Sequence, residues 1–185
     1  MGKVIASIWQ TVDGVVDAAT MDKWFLPFDS ETRGNYIRDT IQNCEAMLYG
    51  RLTYELLSNH WSEQRNNEFG IANKLNSTKK YLVSTTVKAG SWGETVVIDS
   101  DVAGQIERIK HQTQGDILIQ GSASLVKFLL TESLVDELRL LVHPYVAGHG
   151  KKLFDTELNQ ELVFLGQQGL DRGVILLTYG PASQG

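Results

Sequence analysis

The chain has 185 residues, which is enough for one domain with a single sizeable core and short for two. Hydrophobic residues make up 42% and charged residues 21%, as in ordinary globular proteins, and this composition argues against a disordered chain. A net charge of -5 argues against nucleic acid or an anionic membrane as a partner. Cys44 is the only cysteine, which excludes an intrachain disulfide and fits a cytoplasmic location. No apolar run reaches the ~20 residues of a membrane span.

The first part of the chain alternates between short apolar runs, which predict buried strands, and apolar residues spaced near four, which predict helices. In chain order it contains a strand at 4–9, a turn at Asp13-Gly14, a helix at 30–43, a strand at 45–49, a helix at 52–57 and a long loop with a short helix at 58–77. We expect the aromatic stretch that leads to Pro27 to be irregular.

The rest of the chain continues this alternation and ends in a hairpin pattern. It contains strands at 80–84 and 95–98, a helix at 102–112, a strand at 117–119, a helix at 125–130, a strand at 138–142 and a hairpin at 161–165 and 174–179. Such alternation predicts an α/β fold with a mostly parallel sheet covered by helices on both faces. The hairpin adds an antiparallel edge, and the pattern from 1 to 185 predicts a single domain.

A strand leads directly into a helix at Gly50, which lets the backbone turn sharply and lets a ligand approach. The first amides of a helix are unpaired and lie at the positive end of its dipole, where an anion is favoured. Arg51 adds a charged fork suited to phosphate, and Thr53 adds a hydroxyl donor. The alternative interpretation is a glycine turn, a solvated arginine and a threonine that only caps the helix.

Gly121, Ser122, Ala123 and Ser124 repeat this arrangement after another apolar strand. The alternative is that Ser122 or Ser124 is an ordinary helix cap. In a parallel sheet both helix starts lie at the carboxyl edge of the strands, where ligands bind in open α/β folds. Two such starts facing one crevice favour a diphosphate, and therefore a dinucleotide.

Several motifs resemble known reductases, and together they span nearly the whole chain. Residues 50–55, GRLTYE, resemble the GRxTxE motif of dihydrofolate reductases. Residues 24–29, WFLPFD, are similar to the segment of tryptophan, proline and acid at that family's substrate pocket. Residues 11–14, TVDG, and 134–138, LVDEL, resemble the reductase domain of the bifunctional riboflavin-biosynthesis deaminase-reductase.

This resemblance implies a dihydrofolate-reductase-like three-layer fold and NADPH as the cofactor. The residues placed beside the phosphates by the resemblance are Gly50, Arg51, Thr53, Gly121, Ser122, Ala123 and Ser124. Ser84 and Thr85 end the third strand, where the family meets the ribose 2′-phosphate, and Arg51 could assist them; this favours NADPH over NADH. The alternative for Ser84 and Thr85 is a polar strand end.

Two acids are candidates for the catalytic proton donor. Asp29 follows Trp24, Pro27 and Phe28, and a carboxyl group desolvated by them would have its pKa raised toward neutrality. The alternative is that Asp29 caps the following helix. Asp13 is the second candidate, and its alternative is a turn aspartate before Gly14. No histidine pairing suggests a metal site.

The expected function is therefore hydride transfer from NADPH to a small heterocyclic substrate, either pteridine- or folate-like or a riboflavin-pathway pyrimidine. Two other classes remain open: a nucleotide-binding module that has lost catalysis, and a dimeric structural or regulatory domain. The family likeness also suggests a homodimer, for which Leu140, Val142 and the terminal hairpin are the expected contacts.

Overall fold

An eight-stranded sheet forms the centre of the molecule in the computed structural model, which describes residues 1–155 and 158–182. Its strands are β1 (Val4–Thr11), β2 (Cys44–Gly50), β3 (Lys79–Val83), β4 (Thr95–Ile98), β5 (Asp116–Gln120), β6 (Glu137–His143), β7 (Leu162–Gly169) and β8 (Ile175–Pro181). The order across the sheet is β4-β3-β2-β5-β1-β6-β8-β7. The first six strands are parallel, and β8 pairs antiparallel with both β6 and β7.

Helices connect the parallel strands except β3 and β4, which are joined by the non-helical segment 84–94. The helices are α1 (Met21–Trp24), α2 (Glu31–Asn43), α3 (Arg51–Trp61), α4 (Ala72–Ser77), α5 (Val102–Gln112) and α6 (Ala123–Thr131), with short 3-10 turns at Ala18–Thr20, Leu26–Phe28, Glu68–Gly70 and Asp171–Gly173. No helix in the described part of the chain combines the length and the apolar character needed to cross a membrane.

Helices cover both faces of the parallel part of the sheet, and successive side chains of a strand point to opposite faces. In β5, Ile117 and Ile119 pack in the core cluster that includes Val126 of α6. Leu118, between them, packs on the other face with Ile41 of α2 and Leu75 of α4. The near-continuous apolar run of this strand therefore reflects two cores, which confirms the predicted helix cover on both faces.

The predicted α/β architecture is confirmed, including the antiparallel hairpin of β7 and β8. The main differences lie at element ends. Helix α3 extends to Trp61, so it takes in the start of the predicted loop at 58–77, and the stretch before Pro27 contains α1 and short 3-10 turns.

One of the expected dimer contacts is wrong. Leu140 is only 8% exposed and belongs to the core of its own chain, since it packs with the α6 cluster. Val142 is also partly buried against that cluster. In contrast, the edge strand β7 exposes Val163, Phe164 and Leu165.

Candidate functional site

The two strand-to-helix junctions predicted from the sequence lie side by side at the carboxyl edge of the sheet. The backbone N–H of Gly50 donates to Ser122 Oγ at 3.0 Å. The N–H of Ser122 in turn donates to Thr53 Oγ1 at 3.1 Å. These reciprocal bonds connect the start of α3 to the start of α6, so the two helix N-termini converge on one place.

Gly121, rather than Gly50, has the backbone conformation that calls for glycine. Gly121 has φ +69 and is followed by Ser122 with φ 55, so both adopt the left-handed conformation. A Cβ added at Gly121 would also lie 3.4 Å from Thr53 Cγ2. Gly50 has φ -81 and an extended backbone that any residue adopts, so the expectation that Gly50 provides a sharp turn is wrong.

Neither helix start is closed by a side chain from its own N-cap residue. Ser122 occupies the N-cap position of α6, but its hydroxyl accepts the Gly50 N–H instead of capping its own helix. The interpretation of Ser122 as an ordinary helix cap is therefore wrong. With α3 and α6 uncapped, their first amides and the positive ends of two dipoles are available to an anion. This arrangement fits the diphosphate of a dinucleotide.

A cavity of about 510 Å³ opens beside the two junctions. Thr53, Gly121 and Ser122 line one end of it. Aromatic and aliphatic side chains line the rest, among them Trp9, Trp24, Phe25, Ile37, Leu57 and Trp61. The rings of Trp9 and Phe25 are stacked with centroids 4.4 Å apart, and the guanidinium of Arg33 covers the other face of Phe25, 4.0 Å from its centroid. Trp9 is therefore the ring of this aromatic wall on which a planar molecule can stack.

Asp17 and Lys151 are the charged residues among the described residues that line this cavity. Two segments distant in sequence hold them together, since the N–H of Val16 donates to the carbonyl of Lys151 at 2.8 Å. Gly150, with φ +125, makes this approach feasible: a Cβ there would lie 2.8 Å from Val15 Cγ1. Asp17 Oδ1 accepts the N–H of Ala19 at 3.0 Å, which fixes the carboxylate orientation.

The expectation that Asp29 is desolvated is wrong. Its side chain is 80% exposed, does not line the cavity, and pairs with the buried guanidinium of Arg33 at 2.9 Å. Asp29 does not cap α2 either, because Ser30 accepts the Arg33 N–H in that role. The aromatic residues that precede Asp29 in sequence turn inward, whereas its own carboxylate faces solvent.

Asp13 organises a loop and is unsuited to donate a proton. Its carboxylate accepts the Thr11 hydroxyl at 2.6 Å and the backbone N–H groups of Ala147 at 3.0 Å and Gly148 at 2.8 Å. These hydrogen bonds hold the pKa of Asp13 well below its usual range. The carboxylate is therefore ionised near neutral pH, and the expected acid role for Asp13 is wrong; it anchors the loop that leads to Lys151.

The residues expected near a 2′-phosphate differ in availability. Arg51 is 43% exposed and pairs with Glu55 one helical turn away, with a shortest distance of 2.9 Å. Ser84 is buried and accepts the N–H groups of Thr86 and Val87, so its hydroxyl stabilises the turn after β3. Thr85 is exposed beside it.

The two remaining residues expected beside the diphosphate lie at the start of α6. Ser124 is exposed, 3.5 Å from Lys151 Nζ, and Ala123 is buried.

A buried polar pair supports the aromatic wall from behind. Arg33, 2% exposed, donates to the carbonyl of Phe25 and lies with its Nη1 3.4 Å from His143 Nε2. The other ring nitrogen of His143 donates to the carbonyl of Gln10 at 3.1 Å, so the ring accepts from Arg33 as a neutral imidazole. Burial, together with a smaller effect of the charge of Arg33, lowers the pKa of His143 to about 4.

A family model described as the RibD C-terminal domain matches residues 2–176. The chain belongs to the RibD C-terminal domain family. YyaP of Bacillus subtilis (strain 168) is 26% identical to it over 180 residues, which cover 96% of this chain and 94% of that protein. The reductase resemblance of the sequence is thereby confirmed at the level of family.

Solved structures place this RibD C-terminal domain in the dihydrofolate-reductase-like fold. Dihydrofolate reductase from Enterococcus faecalis, complexed with NADP(H), superposes with a TM-score of 0.64 at 14% identity, covering 97% of this chain and 96% of that one. A Thermotoga maritima diaminohydroxyphosphoribosylaminopyrimidine deaminase/5-amino-6-(5-phosphoribosylamino)uracil reductase superposes at 0.68 and 15% identity. The superposition covers 98% of this chain and 57% of the Thermotoga protein.

Proposed function

We propose that this RibD C-terminal domain is an NADPH-dependent reductase that transfers a hydride to a small heterocyclic molecule in the 510 Å³ cavity. The observation that carries the proposal is the pair of hydrogen-bonded, uncapped helix starts at one end of that cavity. The Enterococcus faecalis reductase, which shares the fold, is described with NADP(H), and the Thermotoga maritima relative is described as a reductase.

The residues that would hold the cofactor are those of the two junctions. Thr53, Gly121, Ser122, Ala123 and Ser124 would surround the diphosphate, and Arg51 with Thr85 would meet the 2′-phosphate. The pair between Arg51 and Glu55 is exposed and therefore weak, so the guanidinium can leave it for a phosphate at little cost. NADPH supplies the hydride when bound.

Side chains that line the cavity would orient the substrate, exclude water and donate a proton. The ring of Trp9, supported from behind by Phe25, would orient a planar substrate, and the surrounding apolar side chains would exclude water. Asp17 is the carboxyl group that lines the cavity in the described part of the chain, so we assign it the protonation of the substrate. This replaces the sequence-based assignment of Asp29 and Asp13.

Titration with NADPH and NADH tests the cofactor assignment directly. Trp9, Trp24 and Trp61 line the cavity, and reduced nicotinamide absorbs where tryptophan emits, so binding should quench their emission. We expect saturable quenching with a clear preference for NADPH. Absence of binding would reject the proposal in favour of a structural or regulatory domain, and binding without cofactor oxidation by any heterocycle would indicate a catalytically silent module.

Substitution of Arg51 with alanine is expected to weaken NADPH binding about tenfold, or ~1.4 kcal/mol, because a charge-assisted contact to the 2′-phosphate is lost. Affinity for NADH should stay unchanged, since NADH lacks that phosphate. Lys3→Ala is the matched control: Lys3 is an exposed, ion-paired cation directly before β1, at the amino edge of the sheet and therefore opposite the junctions. An equal NADPH affinity in Arg51→Ala and the wild type would remove Arg51 from the cofactor site.

We also propose a homodimer formed through β7. This edge strand presents Val163, Phe164 and Leu165, which are 44%, 56% and 55% exposed, and exposed apolar edge strands pair readily with another chain. Phe164→Lys is expected to weaken self-association at least about tenfold in sedimentation velocity, because an aromatic anchor is replaced by a charge. Phe69→Lys, at a phenylalanine that is 78% exposed elsewhere, should leave association unchanged. A monomeric wild type would refute the dimer.

A further inference from the structure

We infer that the substrate is an uncharged, planar nitrogen heterocycle without a phosphate group, held among aromatic side chains with one ring nitrogen directed to Asp17. This inference rests on the proposed function, because it takes one end of the cavity as the cofactor end. It separates this chain from the reaction printed for the Thermotoga maritima relative, whose substrate is a phosphoribosylaminouracil.

The first argument is the character of the lining. Sixteen of the 22 described lining residues carry apolar side chains. The uncharged polar groups, Thr53, Gln120 and Ser122, belong to the strand ends and junctions at the cofactor end. The part of the cavity between α1, α2 and α3 is bounded by residues such as Trp24, Ile41 and Trp61. A substrate there contacts hydrocarbon and aromatic rings.

The second argument is where the cations are. Lys151, the cation in the described lining, lies 3.5 Å from Ser124 Oγ at the second junction and so belongs with the cofactor diphosphate. Arg33 lies behind the wall and is already engaged by Phe25, Asp29 and His143. Lys127 of α6 is paired with Asp155. None of these three side chains is placed to receive a substrate phosphate between α1, α2 and α3.

The energetics favour an uncharged ligand. Transfer of a phosphate dianion from water to a site without a cation or an array of donors is strongly unfavourable, because the lost hydration is not replaced. A flat ring in the same place is stabilised by removal of its apolar surface from water and by stacking against Trp9. Asp17, at the edge of this wall, would hydrogen-bond a ring nitrogen and thereby fix the orientation of the ring for proton transfer.

Ligand binding measured on the NADP⁺-saturated protein tests the inference. Three probes are used. The first is 6,7-dimethyl-7,8-dihydropterin, which is uncharged; the second is 5-amino-6-ribosylaminouracil; the third is the same uracil with a phosphate on position 5 of its ribose. The readout is quenching of tryptophan emission, which does not depend on turnover. We expect the pterin to bind and the phosphorylated uracil to bind at least tenfold more weakly than its unphosphorylated form. Tighter binding of the phosphorylated probe, or no binding of the pterin at millimolar concentration, would overturn the inference.

A charge placed in the wall provides a second test. Leu56 lines the cavity and is 56% exposed, so Leu56→Arg adds a cation without burying it. We expect this variant to bind the phosphorylated uracil at least tenfold more tightly than the wild type does. Val96→Arg is the control at an exposed position of β4 outside the lining, and it should change nothing. No gain in Leu56→Arg would show that wall charge does not decide specificity and would overturn the inference.

The NADPH titration keeps the two proposals separate. If NADPH does not bind, the proposed function fails before any substrate probe is added. If NADPH binds and the phosphorylated uracil is preferred, the reductase stands and only the substrate class is wrong.

Discussion

Replacing Asp17 with asparagine is expected to lower turnover by about 100-fold while leaving NADPH affinity unchanged. A positioned general acid contributes roughly 10²–10⁴ to rate, and the amide keeps the size and the hydrogen-bonding geometry of the carboxylate without its transferable proton. The interaction with the Ala19 N–H is retained, since the asparagine oxygen can accept it. Steady-state oxidation of NADPH with the uncharged dihydropterin gives kcat, and fluorescence titration gives the cofactor affinity.

Two further substitutions make the result specific to Asp17. Asp22→Asn changes an exposed acid on α1 outside the described lining, so its turnover should match the wild type. Asp29→Asn discriminates between the structure-based and sequence-based assignments. A large loss of turnover in Asp29→Asn, together with normal turnover in Asp17→Asn, would mean that the exposed carboxylate of Asp29 moves into the site and acts as the proton donor.

Acidification from pH 7 to pH 4 is expected to reduce the free energy of unfolding by up to about 3 kcal/mol through His143 alone. The folded-state pKa is depressed to about 4 from 6.5, so between these values the unfolded chain binds a proton that the native chain does not. Stability therefore falls as pH drops below 6.5 and this contribution levels off near pH 4. Urea unfolding followed by tryptophan emission at several pH values measures it.

His143→Gln isolates the contribution of the ring. Glutamine can donate to the Gln10 carbonyl and accept from Arg33, but it does not titrate. The free energy of unfolding of this variant should therefore change less with pH between pH 6.5 and 4.5. His60→Gln is the control, because His60 is exposed and should leave the dependence intact. If the free energy of unfolding of His143→Gln still falls with pH as steeply as that of the wild type, a group other than His143 causes the acid sensitivity.

The sequence was informative where local pattern decides structure. Alternating strands and helices predicted the parallel sheet, and an apolar strand followed by Gly121 and Ser122 predicted a junction that the structure contains. The reason assigned to Gly50 was wrong, because glycine content alone does not reveal φ. The helical turns before Pro27 are too short for periodicity to indicate them.

Asp29 and Asp17 show that sequence patterns alone do not predict which carboxylate lines the cavity. Asp29 sits among aromatic residues in sequence, yet its i+4 partner Arg33 holds it at the surface. Asp17 has no motif around it, and it reaches the cavity mouth because residues 150–152 pack against 15–17. That contact depends on Gly150, which is remote in sequence and has a backbone angle that only tertiary structure reveals.

The reciprocal bonds among Gly50, Thr53 and Ser122 join segments 69 and 72 residues apart in the chain. These reciprocal bonds cannot form until β2 and β5 have paired, so the junction belongs to the folded sheet and not to either segment alone. A nucleotide bound there, as we propose, would therefore bind only the native molecule, and raising its concentration would increase the free energy of unfolding.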